Sequence, residues 1–188
     1  SSCNPDLTAM AEKLGYSNDT FNFVNFTYGD YISYDEYIDF INYFYSKCSS
    51  EEETHSKLIS FATGSAGVCY GISAISVLVH NGYIDPSSIQ SGAENLNDIS
   101  INTEIAKIIL EYALSQNRHE VELANYKNKS LRTDESYIDE LLEYGEKSNE
   151  TGNYFLIAYT GVRDDDSMIG HSVTGIGMAD GNWSYNNI

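Results

Sequence analysis

The sequence predicts an α+β protein, on three observations. Apolar residues recur at helical spacing through roughly the first three quarters of the chain. Capping signals open several of those stretches. After Gly152 the pattern switches to short apolar and aromatic runs bounded by glycine, so strands follow helices and pair antiparallel. At 188 residues the chain can form one domain with a sizeable core, or two closely packed lobes.

Leu7 to Tyr16 reads as a short helix after Pro5-Asp6, and residues 18 to 31 as an extended covering segment of alternating polar and aromatic residues. Ser33-Tyr34-Asp35-Glu36 has the spacing of a capping box and starts a helix to about Lys47. Tyr37, Ile38, Ile41 and Phe44 or Tyr45 share one face of it. Ser50-Glu51-Glu52-Glu53 opens another helix through Leu58 and Phe61, with its acids in the first turn, where the helix dipole favours them. The Gly- and Ala-rich stretch from Thr63 to Gly67 reads as a tight turn.

Residues 69 to 80 then form a helix about 18 Å long at ~1.5 Å per residue. Ile72, Ala74, Ile75, Val77, Leu78 and Val79 leave it almost no polar face, which predicts burial, and Asn81-Gly82 closes it. Asp85-Pro86 turns the chain into a polar connection, 87 to 102, with one short helical turn. A helix from about Thr103 to Ser115 follows, with Ile105, Ile108, Ile109 and Tyr112 at helical spacing. Residues 117 to 130 read as a linker between lobes, and Thr133-Asp134-Glu135 caps a last helix to about Glu146. Tyr154–Tyr159 and Met168–Met178 are the predicted strands, and Asp180-Gly181 is a hairpin signal leading into Trp183 and Tyr185. The expected division is a helical lobe over 1–130 and a β lobe over 131–188, together one catalytic unit.

Two segments carry chemistry. Gly67-Val68-Cys69-Tyr70-Gly71-Ile72-Ser73 sets a thiol at a helix start, where the positive end of the dipole favours thiolate. Gly170-His171-Ser172-Val173-Thr174-Gly175-Ile176-Gly177 sets an imidazole on a strand whose glycines allow another element to pack closely. A thiolate beside an imidazole makes a nucleophile with its own proton donor.

In order and in type, these two blocks resemble the papain-like cysteine peptidases, especially a bacterial extracellular branch. The resemblance covers about residues 61–82 and 153–188. It implies a helical lobe carrying Cys69, a β lobe carrying His171, and a substrate cleft between them. It also implies an oxyanion site and a third residue that orients the imidazole. Papain relatives carry Gln six residues before the nucleophile, and this chain has Thr63 there. The oxyanion is therefore expected on the Cys69 backbone N–H with a hydroxyl of Thr63 or Ser65, or with another backbone N–H. The Cys–His interval is also shorter than in papain, which implies a trimmed second lobe or linker. Asn187 stands at a plausible spacing for the orienting residue; the alternative is that this residue lies past Ile188, in a longer parent protein that carries other domains. With Cys69 as nucleophile, Cys3 and Cys48 remain as a candidate disulfide suited to an oxidising, extracellular setting.

Other residues have plainer readings. His80 reads as a dipole partner at a helix C-terminus, and His55 and His119 as surface residues. Asp164-Asp165-Asp166 lacks the ligand spacing of a calcium loop, and the cysteines lack zinc spacing. No phosphate-binding glycine motif occurs, so no cofactor and no metal are expected. A net charge of −18, from 10 basic and 28 acidic residues, argues against nucleic acid and against anionic membrane surfaces. No apolar run is long enough to span a bilayer, and residues 1–5 have no signal-peptide character. The expected activity is hydrolysis of peptide or protein substrates by a secreted cysteine peptidase. The alternatives are a cell-wall peptide amidase or endopeptidase using the same dyad, and a secreted binding or adhesion module whose dyad has lapsed.

Overall fold

The computed structural model describes residues 18–45, 67–126, 134–162 and 168–178. Ser33 and Glu36 open the first helix, α1 (Tyr34–Tyr45), by reciprocal capping. The Ser33 hydroxyl and backbone N–H donate to Glu36 Oε2 at 2.7 and 3.2 Å, and the Glu36 N–H donates back to Ser33 Oγ at 3.4 Å. From the predicted face, Tyr37 and Ile41 are fully buried. The covering segment before α1 is irregular, with a single 3-10 turn at Tyr28–Asp30. Its Phe21, Phe26, Tyr28 and Ile32 turn inward, and Tyr28 stacks on Tyr37 with ring centres 5.2 Å apart.

Helix α2 (Cys69–His80) has the predicted bounds and ends on Asn81. Gly82 follows with φ +78°, a left-handed conformation that a side chain would strain. The connection contains two short turns where the sequence predicts one: α3 (Pro86–Ile89), with Asp85 accepting from the Ser87 N–H at 2.9 Å, and a 3-10 turn at Leu96–Asp98. Helix α4 (Thr103–Tyr126) runs eleven residues past its expected end at Ser115. The expected linker is therefore helical from 117 to 126, because a helix can continue through polar residues that carry no breaker. Helix α5 (Asp134–Thr151) likewise overruns the expected Glu146 and stops at Gly152, φ +74°.

The core lies among α1, α2, α4 and the covering segment. Ile105, Ala106, Ile109, Leu110, Ala113 and Leu114 of α4 meet Ile75, Tyr37, Ile41, Leu96 and Ile99. Gly71 lets α2 and α4 touch through their backbones: a Cβ there would collide with the Ile109 carbonyl oxygen and lie 3.0 Å from the Ala113 nitrogen. The burial of α2 differs from the apolar pattern that predicted it. Ser73 and Ser76 are buried, whereas Val77, Leu78 and Val79 keep part of their surface exposed. Small residues permit close approach, and each buried hydroxyl donates to a carbonyl, which removes the cost of burying it.

Strands β1 (Phe155–Val162) and β2 (Met168–Gly175) form a two-stranded antiparallel ribbon in which Tyr159 pairs with His171 and Ala158 with Ser172. β2 ends at Gly175, three residues before the expected Met178. The α+β class holds, with helices dominating. The outward carbonyls of the Ala158–Ser172 pair are both taken by side chains. Tyr137 of α5 donates to Ala158 O at 3.0 Å and Ser73 of α2 donates to Ser172 O at 3.1 Å, so hydroxyls occupy both ribbon edges. Gly175 serves this hairpin rather than a facing lobe: its missing side chain makes room for the Phe155 ring across the ribbon, and Phe155 stacks on Tyr144 of α5.

Candidate functional site

Cys69 is the first residue of α2 and is half-buried as a free thiol. Val68 caps the helix without a side-chain hydrogen bond, and no acidic residue occupies the first turn. Among the described residues, neither the cap nor the first turn therefore brings a neutralising side chain to the positive end of the helix. The chain leading into it is held by a bridge between Thr27 and Gly67 and by the Val68 N–H, which donates to Phe26 O at 3.2 Å. Burial pushes the neighbouring Tyr70 phenol above its ordinary range, so it stays neutral beside the thiol.

Residues 69, 72, 73, 76 and 80 fall on one stripe of α2 at helical spacing. This stripe faces the ribbon and the covering segment, while Gly71 and Ile75 face the core. Ser73 meets both Ser172 and Thr174: it donates to Ser172 O, and the Thr174 hydroxyl donates to Ser73 O at 3.4 Å. At the far end Asn81 pairs with the Tyr154 backbone, at 2.8 and 3.0 Å, beside the start of β1. Helix α2 therefore runs alongside β2 in the same direction. One helical turn back from Ser73 is about 6 Å, or about two strand residues, which sets Cys69 level with His171.

The structure thus packs the Cys69 helix on the His171 strand without joining thiol to imidazole. Among the described residues no hydrogen bond links them. The His171 ring lies on the ribbon face of Tyr159, edge-on to it with centres 5.8 Å apart, whereas Ser172 and Thr174 point to the other face. Thr63, Ser65 and Asn187 of the expected oxyanion site and triad lie outside the described residues, as do Cys3, Cys48, His55 and the Asp164–Asp166 run.

Two features of the same stripe had no separate signal in the sequence. Midway along it is a cavity of about 350 Å³, lined by Thr20, Phe21, Phe23, Ile72, Ser73, Ser76, Ser172, Val173 and Thr174. At its C-terminal end His80 does more than face the dipole. Its Nδ1 is 2.8 Å from Asp19 Oδ2, its Nε2 is 2.7 Å from Gly152 O, and its ring stacks on Tyr154 with centres 3.4 Å apart. The Tyr154 hydroxyl also donates to Asp19 Oδ2, at 2.9 Å. Burial first, and then this bond to a carboxylate, hold the Tyr154 phenol far above its ordinary range, so it remains a donor. Sequence spacing cannot pair residues 19, 80 and 154; only the fold does so.

Among the described residues no three His, Cys, Asp or Glu side chains gather to hold a metal ion, and no helix is long and apolar enough to cross a membrane. No protein-family model, curated protein or solved structure matches this chain.

Proposed function

We propose that the chain is a papain-like, secreted cysteine peptidase with Cys69 as nucleophile and His171 as its proton partner. The observation that carries this reading is a helix start without a side-chain cap, bearing a free thiol, on a helix packed along the strand that carries His171. For reaction, the His171 ring must leave Tyr159 and come round the edge of β2 beside α2 to take the proton from the sulfur. The thiolate attacks the peptide carbonyl carbon, and the oxyanion accepts from the Cys69 N–H. His171 then gives its proton to the leaving amine as the C–N bond breaks. Water attacks the resulting thioester, returning a proton through His171 to the thiolate, and the carboxylic acid leaves.

The experiment is a fluorogenic peptide library run on the wild-type protein and Cys69→Ala, together with iodoacetamide labelling near pH 6. Cleavage lost in Cys69→Ala, with rapid labelling of Cys69, is the expected outcome. The edge-on contact of His171 with Tyr159, in place of a bond to the thiol, favours a second reading as a non-catalytic binding module. An unreactive thiol and no cleavage would establish that alternative and end the peptidase proposal.

A further inference from the structure

Ser172 is 5% exposed and lines the cavity on α2, and its hydroxyl has no hydrogen-bond partner among the described residues. A buried hydroxyl left unpaired costs about 1–3 kcal/mol, and such groups are rare enough to require a reason. Around it, three other hydroxyls have already given their protons away. Ser73 donates to Ser172 O, Ser76 to Asp19 O and Thr174 to Ser73 O, so each turns only lone pairs to a further partner. In Ser172 the cavity therefore offers a group able both to donate and to accept, beside several acceptors. The rest of the lining is Thr20 with the apolar and aromatic residues Phe21, Phe23, Ile72 and Val173. No ionisable side chain lines it, which excludes a charged ligand, since a buried charge without a partner is costly.

We propose that this cavity binds a phenol: an uncharged aromatic ring held between Phe21, Phe23 and Ile72, with its hydroxyl accepting from Ser172 and donating to a neighbouring hydroxyl oxygen. A phenol combines an apolar body with a hydroxyl that both donates and accepts, which is the complement of this lining. The volume of about 350 Å³ is at the small end of ligand pockets, sized for one ring and a short substituent. The ring comes either from a free small phenol or from a tyrosine side chain of a peptide. The site does not depend on the peptidase reading, because it uses neither the thiol nor the imidazole.

The test is titration of p-cresol, toluene and N-acetyl-tyrosine amide into the full chain, followed by NMR of the Ile72 and Val173 methyl groups. p-Cresol is expected to shift both, and toluene to bind about tenfold more weakly, the loss of one hydrogen bond. If the acetyl-tyrosine amide also binds, the source is a peptide; if only p-cresol binds, it is a free phenol. Ser172→Ala should bring p-cresol down to the level of toluene. It should leave the melting temperature unchanged or higher, since the hydroxyl has no partner among the described residues to lose. Ile72→Phe, which fills the cavity, should abolish binding. Equal affinity for p-cresol and toluene, or no methyl shifts with any probe, would overturn the proposal. Phenol binding without peptide cleavage would leave this site standing and remove only the peptidase reading.

Discussion

Replacing Gly71 with Ala tests how the thiol is seated. An added Cβ would strike the Ile109 carbonyl oxygen and come within 3.0 Å of the Ala113 nitrogen and 3.1 Å of Ile109 Cγ2. Two of these three atoms are backbone, inside helix α4, and cannot swing aside as a side-chain tip would. Overpacking a tight interior costs about 1–3 kcal/mol, and rigid neighbours place this site at the upper end. Alanine returns about 1 kcal/mol of helix propensity, leaving a net loss of about 2 kcal/mol. For a chain of this size that is a fall in melting temperature of about 4–8 °C. Gly170→Ala is the internal control, because its Cβ would enter open space at an ordinary φ, and it should be neutral or raise stability by up to about 1 kcal/mol. Denaturant melts of both variants, followed by circular dichroism, provide the measurement. The α2–α4 backbone contact is refuted if Gly71→Ala is as stable as wild type. Because Cys69 is only two residues away, iodoacetamide labelling of Gly71→Ala should also change in rate, whereas labelling of Gly170→Ala should not.

Further predictions concern pH and the polar clasp. Hydrogen bonds from the Ser33 hydroxyl, from Lys107 (3.0 Å) and from the Ser33 N–H hold the Glu36 carboxyl down, at about 2 against an ordinary 4.5. The folded value is the lower one, so this contribution is complete above pH 4.5 and is lost as pH falls toward 2. The melting-temperature gap between wild type and Glu36→Gln should therefore shrink over that window, and a gap constant from pH 5 to 2 would contradict the assignment. Tyr154→Phe removes one hydrogen bond to the Asp19 carboxylate and should cost about 1.5–3 kcal/mol, read from urea unfolding. An unchanged midpoint would mean that Asp19 is held by His80 alone.

Local features were legible in the sequence where their physics is local. The Ser33–Glu36 box and both ends of the Cys69 helix follow from residues within one turn of each other, and the structure keeps them. The ends of the two polar helices were not legible. Past Ser115 and past Glu146 the apolar signal stops while nothing breaks the helix until Tyr126 and Gly152, so periodicity underestimates length. Contacts between distant residues were also hidden. A glycine on the His171 strand reads as room for another lobe, and only the hairpin register shows that Phe155 fills the space over Gly175. The Cys69 and His171 segments could be paired by chemistry, but the face on which the imidazole lies depends on strand register and could not be read ahead of it.

Helix α2 joins these results because its two sides obey different rules. The side toward α4 is held by shape: Gly71 closes against the α4 backbone and Ile75 packs in the core, so that side tolerates little change in volume. The side toward the ribbon is held by hydrogen bonds, with Ser73 reaching Ser172, Ser76 reaching Asp19, and His80 reaching both Asp19 and Gly152. Directional bonds between small side chains keep two elements in register while leaving space between them, and the cavity at Ile72 and Ser73 is that space. An apolar seam would have closed there. Cys69 shares the helical stripe of this polar side, one turn before Ser73. Ser172→Ala should therefore alter what the cavity binds more than it alters the fold, whereas Ser73→Ala, Ser76→Ala or a glycine or isoleucine change on the other side should do the reverse.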